Sequence, residues 1–268
     1  MDYKTIVVAE SGSIRTITLN RPKQRNAMTP EMQMELISAL EEVAQSDCRL
    51  LVLAGAGESF CSGLDLSALQ AMQNASAAEH RTDAERIARL FLALYEVPMP
   101  TIAAVHGAAI AGGAGLATIC DFTLATPAAT FGFTEVRIGF VPALVSAFLA
   151  LQLGDKRCRD LLLTGRIIDA KEAHRLGLVN EVVAAEKLSE RVLALAEILI
   201  ANSPESMKTT KSLIEAHHRA WLEAAIAEAL GANALSRETA DFREGLTAFL
   251  EKRKPDWEKG SRAKPRRH

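Results

Sequence analysis

A repeated succession of strand, strand and helix constrains the fold of this chain more than any other feature. Leu50–Leu53 and Thr101–Val105 are short, continuously apolar runs, a pattern typical of strands buried on both faces. The β-branched runs Ile6–Ala9 and Ile14–Leu19, separated by a turn cluster, predict a hairpin. Thr29 and the proline after it predict the start of a helix. The rhythm indicates an α/β fold built as a spiral of ββα units, and it argues against a doubly wound nucleotide fold.

The pattern changes near residue 201 and divides the chain into two predicted regions. Residues 1–201 form the predicted spiral core, and residues 202–268 have strong helical composition as far as about Arg253. A helical region of about 60 residues is too small and too amphipathic to be stable alone. We therefore expect it to pack on the core and on a neighbouring subunit, which predicts a homo-oligomer.

Composition and charge exclude several classes of protein. The 268 residues carry a net charge of −2 and only 5% aromatic side chains, so nucleic acid is an improbable partner. Four cysteines are widely spaced without a CxxC motif, which predicts reduced thiols, a cytoplasmic location and no metal site. No signal peptide is evident, and no apolar stretch reaches the roughly 18 residues of a membrane span. The basic tail from Arg262 to His268 is expected to be solvated.

Two glycine-rich segments, Ser59–Leu66 and His106–Gly115, each follow a predicted buried strand. Glycine lets the backbone approach a ligand and leaves N–H groups free to point at it. A helix that begins at Gly112-Gly113 would add the positive end of its dipole. Two such N–H groups that converge on one oxygen form an oxyanion hole, where each donor lowers a barrier by about 3–4 kcal/mol. Either segment alone is better explained as a tight strand-to-helix turn, and neither is a phosphate-binding signature.

An ordered set of motifs extends over nearly the whole chain. Its members are Ile17–Pro22 with Asn26-Ala27, Phe60–Leu66, Pro100–Gly107 with Gly112-Gly113, Cys120–Phe122, Phe131–Glu135, Leu163–Gly165, Ala170–Leu178 and Glu244–Arg253. Each motif is moderately specific, but the set in this order and spacing resembles the enoyl-CoA hydratase/isomerase family, the crotonase superfamily. The resemblance implies a crotonase-type spiral with a C-terminal helical region that builds a trimer, commonly paired into a hexamer.

The resemblance also implies roles for particular residues. The backbone N–H groups of Leu64 and Gly112 would hold the oxygen of an acyl-CoA thioester, and the backbone around Asp65 and Leu66 would meet the adenine end of a bent CoA. The remaining residues implied in substrate binding are Arg25, Ala27, Ser62 and Gly113. An exposed loop arginine is usually only solvated, but Arg25 is a candidate contact for a CoA phosphate. No cofactor is expected, because CoA is part of the substrate.

Glu135 is the predicted proton-transfer residue. Many hydratases of the family use two glutamates, and this chain has Gly115 at the first of these positions and Glu135 at the second. A lone glutamate close to Arg137 is more often an ordinary strand-end carboxylate, but its match to the family's catalytic carboxylate outweighs that interpretation. In a mostly apolar pocket its pKa should rise, which suits a group that both accepts and donates a proton near neutral pH.

Three functions stay open at this point. One glutamate suffices for an isomerase or decarboxylase, whereas hydration normally needs a second group to hold the water, for which Ser146 or a backbone group is the candidate. Residues 135–146 are nevertheless similar to bacterial hydratases of branched acyl-CoAs, including methylglutaconyl-CoA hydratase, so the sequence favours an enoyl-CoA hydratase, a lyase. The third hypothesis is a non-catalytic CoA-binding or RNA-associated protein, which only Gly115 supports. A Glu135→Gln variant as active as the wild type would favour it.

Overall fold

Strands and helices alternate in the first half of the chain and helices dominate the second half, in a computed structural model that describes residues 2–258. The strands are β1 (Ile6–Ser11), β2 (Ile14–Leu19), β3 (Leu50–Gly55), β4 (Thr101–Val105), β5 (Ala108–Ile110), β6 (Phe122–Ala125), β7 (Thr130–Gly132), β8 (Ile167–Asp169) and β9 (Glu181–Val182). The helices are α1 (Pro30–Ala44), α2 (Leu66–Ala71), α3 (Ala77–Tyr95), α4 (Gly112–Ile119), α5 (Ala143–Thr164), α6 (Ala170–Leu176), α7 (Leu188–Ala201), α8 (Pro204–Ser236) and α9 (Ala240–Leu250). Short 3₁₀ turns occupy Pro22–Gln24, Glu135–Ile138 and Ala185–Lys187.

The described strands form two sheets. The larger sheet has the order β1-β2-β3-β4-β6-β9, with an antiparallel β1–β2 hairpin and parallel pairing thereafter. The smaller sheet has the order β5-β7-β8. Parallel neighbours need a crossover connection, and α1, α3 and α4 lie in those crossovers. The structure therefore confirms the predicted α/β spiral and its opening hairpin.

The start of α1 follows from local sequence. The Thr29 hydroxyl accepts a hydrogen bond from the Met32 N–H at 3.2 Å, and Pro30 occupies the first helical position. Buried residues then recur at helical spacing through Leu36, Leu40 and Val43. The predicted cap and the predicted buried face of this helix are both confirmed.

Two short elements lie where the sequence predicts only turns. β5 lies inside the second glycine-rich segment, where it pairs in parallel with β7. α2 follows the first glycine-rich segment, and the Asp65 carboxylate caps it by accepting from the N–H groups of Ser67 and Ala68. Both elements depend on contacts with distant segments or on a single cap, so they leave little periodic signal in the sequence.

The C-terminal helices pack on the core. α8 lies against α3 and α5, and α9 lies against the turn at Glu135–Ile138, where Gly245 contacts the Ile138 backbone too closely for a side chain. The boundary at residue 201 and the contact with a neighbouring subunit stay predictions. Residues 259–268, including the predicted solvated tail, lie outside the described residues. Within residues 2–258, no helix combines the length and hydropathy that crossing a bilayer requires.

Candidate active site

The first glycine-rich turn presents the Leu64 amide without a partner. On either side of it, the Met28 N–H donates to the Gly63 carbonyl at 2.8 Å and the Asp65 N–H donates to the Met28 carbonyl at 3.0 Å. The Leu64 N–H between them donates to no group in the described part of the chain. Gly63 has a φ of +89°, and a Cβ there would lie 2.9 Å from the Ala111 Cβ. Glycine is thus required both for the turn and for its contact with the second glycine-rich segment.

The second glycine-rich turn ends at the first residue of α4. Ala111 has an unusual φ of +53° and its N–H donates to the Gly132 carbonyl at 2.6 Å. The next amide, that of Gly112, is the first of the helix and donates to no described residue. Gly113 packs against Cys61, whose Cβ would lie 2.7 Å from an added Cβ. This close packing brings the two turns together, and the α4 dipole adds positive potential at the Gly112 amide.

Leu64, Gly112 and Glu135 line one cavity of about 420 Å³. Arg25, Ser62 and Leu66, which the family resemblance assigns to substrate binding, also line it. The other lining residues are mostly apolar: Leu69, Ile87, Phe91, Ile110, Ala111, Thr134, Arg137, Ile138, Phe140, Val141, Pro142, Ala143, Leu144, Val145, Ile167, Asn233 and Phe249. Six of the predicted site residues therefore line the same cavity.

Glu135 is a buried carboxylate without a counterion. It begins the 3₁₀ turn after β7 and is 8% exposed, and its Oε2 atom has no hydrogen-bond partner in the described structure. Burial raises the pKa of Glu135 to about 7, because removal of water disfavours the charged form. No ion pair joins it to Arg137 among the described residues, and Arg137 is exposed. The alternative interpretation of Glu135 as one half of a strand-end ion pair is therefore wrong.

Apolar side chains occupy the space beside Gly115. A Cβ at this position would lie 2.8 Å from Val145 Cγ1 and 3.0 Å from Phe91 Cζ. A second glutamate would have no room here unless these side chains moved. The Ser146 hydroxyl donates to the Ala143 carbonyl at 2.6 Å, and Ser146 does not line the cavity. The hypothesis that Ser146 holds a water for the reaction is therefore wrong.

Three of the predicted binding residues lie behind the cavity wall. Ala27, Asp65 and Gly113 are absent from the cavity lining. The Asp65 carboxylate caps α2 and pairs with Arg21 at 3.0 Å, and the same guanidinium donates to the Ala27 carbonyl. These contacts hold the first glycine-rich turn against the strand-to-helix corner at Arg21. Roles for the three residues in binding CoA stay predictions.

Sequence reasoning missed the helical residues that complete the cavity. Ile87 and Phe91 come from α3, Asn233 from α8 and Phe249 from α9. Asn233 had a detectable signal, because it continues the buried stripe of Ile226 and Ala229 at helical spacing. A polar residue in an otherwise apolar stripe indicates either a buried hydrogen bond or a site. Within residues 2–258, no cluster of three or more His, Cys, Asp or Glu side chains is arranged to hold a metal ion.

The chain is similar in sequence to known proteins of one family. A family model described as enoyl-CoA hydratase/isomerase matches residues 9–260. A Thermus thermophilus protein is 44% identical over 251 residues, which cover 93% of this chain and 99% of the relative. The crotonyl-CoA hydratase of Syntrophomonas wolfei is 33% identical over 260 residues, which cover 96% of this chain and 99% of the relative.

Solved structures give the same result at the level of the fold. The crystal structure of an enoyl-CoA hydratase/isomerase from Xanthobacter autotrophicus is similar to this chain with a TM-score of 0.86 and 30% sequence identity, and the match covers 93% of this chain and 97% of that chain. The similarity extends through the C-terminal helices as well as the spiral. The chain therefore belongs to the enoyl-CoA hydratase/isomerase family, the crotonase superfamily.

Proposed function

We propose that the protein is an enoyl-CoA hydratase, a lyase that adds water reversibly to the double bond of a 2-enoyl-CoA thioester. One observation carries the proposal: Glu135, a buried carboxylate with no counterion within residues 2–258, shares a cavity with the Leu64 and Gly112 amides, which are unpaired within the same residues. Relatives named as hydratases over almost their full length support the choice of reaction. Glu135 is the proposed catalytic acid and base, and the two N–H groups are the proposed oxyanion hole.

The two amides stabilise negative charge on the thioester oxygen in the proposed mechanism. When a nucleophile adds to the β-carbon of an enoyl thioester, the electron pair of the double bond moves toward the carbonyl oxygen. N–H groups that are already fixed and unpaired stabilise this charge without reorganisation, each lowering the barrier by about 3–4 kcal/mol. The α4 dipole at Gly112 acts in the same direction.

Glu135 supplies the proton transfers. Its carboxylate accepts a proton from water while the water oxygen bonds to the β-carbon and an enolate forms at the thioester. The protonated Glu135 then gives that proton to the α-carbon, and the carbonyl re-forms. One water has been added and the carboxylate is regenerated, so a single residue closes the cycle. A pKa of about 7 allows both steps near neutral pH.

The cavity mouth suits the CoA part of the substrate. Arg25 is exposed and Ser62 half-buried at the cavity wall, and Leu66 adds apolar surface. A guanidinium is a preferred partner for phosphate oxygens, so Arg25 is the proposed contact for a CoA phosphate. Because CoA enters as part of the substrate, the proposed reaction uses no separate cofactor.

An enoyl-CoA isomerase is the second candidate, and the packing at Gly115 favours it. With Val145 and Phe91 in the place of a second glutamate, Glu135 acts alone. One carboxylate can take a proton from the α-carbon of a 3-enoyl-CoA and return it to the γ-carbon. The oxyanion hole serves this reaction equally well, since both reactions pass through a thioester enolate.

We also infer a homo-oligomer, either a trimer or a pair of trimers, in the cytoplasm. Large apolar side chains stay exposed along α7 and α8: Leu193, Ile198, Leu213, Ile214, Trp221 and Leu235. Exposed apolar surface of this extent is typical of an interface. The cysteines Cys48, Cys61, Cys120 and Cys158 are free thiols, which is typical of a reducing compartment. Light scattering coupled to size-exclusion chromatography measures the oligomeric mass.

The assay that tests the reaction follows the conjugated enoyl thioester. Addition of enzyme to crotonyl-CoA should bleach its absorbance and yield the 3-hydroxyacyl-CoA, which mass spectrometry in ¹⁸O-water identifies by its label. A 3-enoyl-CoA that gains conjugation, together with crotonyl-CoA that stays unchanged, would replace the hydratase by the isomerase. No conversion of either compound would remove both.

A further inference from the structure

A buried charged cluster lies between α3 and α8. The Arg237 side chain is 1% exposed, and its Nη2 atom lies 2.7 Å from Asp83 Oδ2 in an ion pair. Arg86 pairs with the same carboxylate and donates to the Gln33 side chain at 2.8 Å. One carboxylate thus serves two guanidinium groups. Burial and the nearby Arg237 lower the pKa of His80. Arg86 and Arg237 together carry one more positive charge than the Asp83 carboxylate balances.

Arg237 fixes the orientation of Asn233 on the cavity wall. The Arg237 Nε–H donates to Asn233 Oδ1 at 3.3 Å, and the guanidinium lies 5.5 Å from the centre of the Phe140 ring. A guanidinium can only donate, so the oxygen of the Asn233 amide must face it and the nitrogen must face away. The hydrogen bond that the Asn233 side chain makes with a described residue uses Oδ1, and Nδ2 makes none there. Asn233 is 4% exposed and lines the cavity, so an unpaired N–H donor remains in a nearly buried wall.

The cluster that holds Asn233 lies two turns along α3 from Phe91, the residue beside the oxyanion turn. Phe91 lies beside Gly112 and Gly115, and Ile87, one turn earlier in α3, lines the same cavity. Asp83 is one further turn away and holds Arg237. At about 1.5 Å per residue, Ile87 lies about 6 Å and Asp83 about 12 Å from Phe91 along the helix. A six-carbon acyl chain that starts with its thioester at Gly112 is long enough for the part of the cavity that Ile87 lines, and Asn233 lines the same cavity.

We propose that Asn233 recognises an oxygen at the distal end of a short acyl chain, so that the protein acts on acyl-CoA thioesters with an oxygen-bearing tip in preference to plain alkyl chains. The proposal rests on the proposed function, because it takes the cavity to hold an acyl-CoA. An alkyl tip removes water from the Asn233 N–H and leaves that donor without an acceptor, whereas an oxygen acceptor replaces the lost hydrogen bond.

Three saturated thioesters of matched size test the recognition separately from catalysis. In 5-methylhexanoyl-CoA the tip is two methyl groups, in 5-oxohexanoyl-CoA one of them is replaced by a ketone oxygen, and in glutaryl-CoA both are replaced by carboxylate oxygens. Isothermal titration of the wild-type oligomer should show that both oxygen-bearing thioesters bind about tenfold more tightly than the alkyl one. Equal or tighter binding of 5-methylhexanoyl-CoA would overturn the proposal. So would tight glutaryl-CoA binding with the ketone no better than the alkyl chain, because the buried charge alone would then account for it.

Substitution of Asn233 assigns the effect to this residue. Asn233→Leu keeps the size of the side chain and removes the donor, so the roughly tenfold preference should disappear. The matched control is Asn202→Leu at the exposed end of α7, which should keep the full preference. If Asn233→Leu binds the three thioesters with the wild-type ratio, Asn233 is not the recognising group. The wild-type binding series tests the proposal even when the variant does not fold.

Failure of this inference is distinguishable from failure of the proposed function. The saturated thioesters contain no double bond, so their affinities do not depend on whether the enzyme hydrates or isomerises. An enzyme that converts crotonyl-CoA but binds the alkyl tip as tightly as the oxygen tips keeps its function and loses this specificity. An enzyme that prefers the oxygen tips but converts no enoyl-CoA keeps the binding site and loses the proposed reaction.

Discussion

Glu135 on the cavity wall and Asp83 between α3 and α8 are two carboxylates with nearly equal burial and opposite surroundings. They are 8% and 5% exposed, respectively. Glu135 faces apolar side chains and leaves one oxygen without a partner, whereas Asp83 pairs with Arg86 and Arg237. A buried carboxylate that is paired with cations can hold neighbouring helices together. A buried carboxylate without a partner destabilises the folded protein, so we expect one only where it has a function. The difference indicates that burial alone does not set the proposed catalytic acid apart from Asp83, whereas the lack of a partner among the described residues does.

The largest expected effect is the loss of turnover when Glu135 is neutralised. Glu135→Gln keeps the shape of the side chain and removes the proton shuttle, so kcat should fall by about a thousandfold while the fold is retained. Steady-state hydration of crotonyl-CoA measures the fall. Glu186→Gln, at an exposed position, should leave kcat unchanged. A Glu135→Gln variant with near-wild-type kcat would contradict the proposed role of Glu135, which would then be a buried carboxylate without a catalytic function.

The next effect is on stability and belongs to Asp83. Asp83→Asn leaves Arg237 buried without its counterion, so the free energy of unfolding should fall by about 3–5 kcal/mol. Denaturant titration measures the fall. The matched control is Asp155→Asn in the exposed pair with Arg159, which should cost less than about 1 kcal/mol. Equal costs for the two variants would show that the buried pair does not hold α3 to α8.

The third effect is the dependence of stability on pH at Glu135. Its pKa is about 7 in the folded protein against an ordinary 4.5, so the folded state binds the proton more tightly and loses stability as the pH rises between these values. Glu135→Gln removes that loss. The variant should exceed the wild type in free energy of unfolding by up to about 3 kcal/mol at pH 8, with no difference below about pH 4.5. A variant less stable than the wild type at pH 8 would contradict the raised pKa.

The smallest effect concerns the space beside Gly115. Gly115→Ala places a Cβ 2.8 Å from Val145 Cγ1, and the overpacking should lower the free energy of unfolding by about 1–3 kcal/mol. Gly231→Ala is the control, because Gly231 lies in the interior of α8 with no atom near its Cβ position. Helix propensity alone should make that variant about 0.5–1 kcal/mol more stable. If Gly115→Ala is also stabilising, the apolar packing around Gly115 is looser than the structure indicates.

The sequence alone predicted those elements that depend on contacts between neighbouring residues. Thr29 and Pro30 predict the start of α1 because a cap involves only the next three residues. β5 was missed because it depends on pairing with residues 130–132 and with Cys61, which are distant in sequence, and a three-residue strand carries no periodicity of its own. The whole spiral was predictable because its succession of strands and helices repeats. The motifs also occur in the order and spacing of the family.

The candidate site was predictable in part for the same reason. Glu135 and the amides at Leu64 and Gly112 follow from motif order, and the structure brings all three to one cavity. The failed suggestion of Ser146 came from proximity in sequence, whereas its hydroxyl bonds within its own helix. Asn233 was missed because it reaches the cavity only when α8 packs on α3, a contact between segments far apart in the chain.

The position of Asn233 has a consequence for the order in which the protein acquires activity during its synthesis. The oxyanion turns and Glu135 leave the ribosome early, but the wall that Asn233 and Phe249 complete emerges roughly a hundred residues later. Until then we expect the apolar cavity to stay open on the side that α8 and α9 cover in the full chain. Exposed apolar surface of this kind promotes aggregation, and a proteolytic cut before α8 should expose it again.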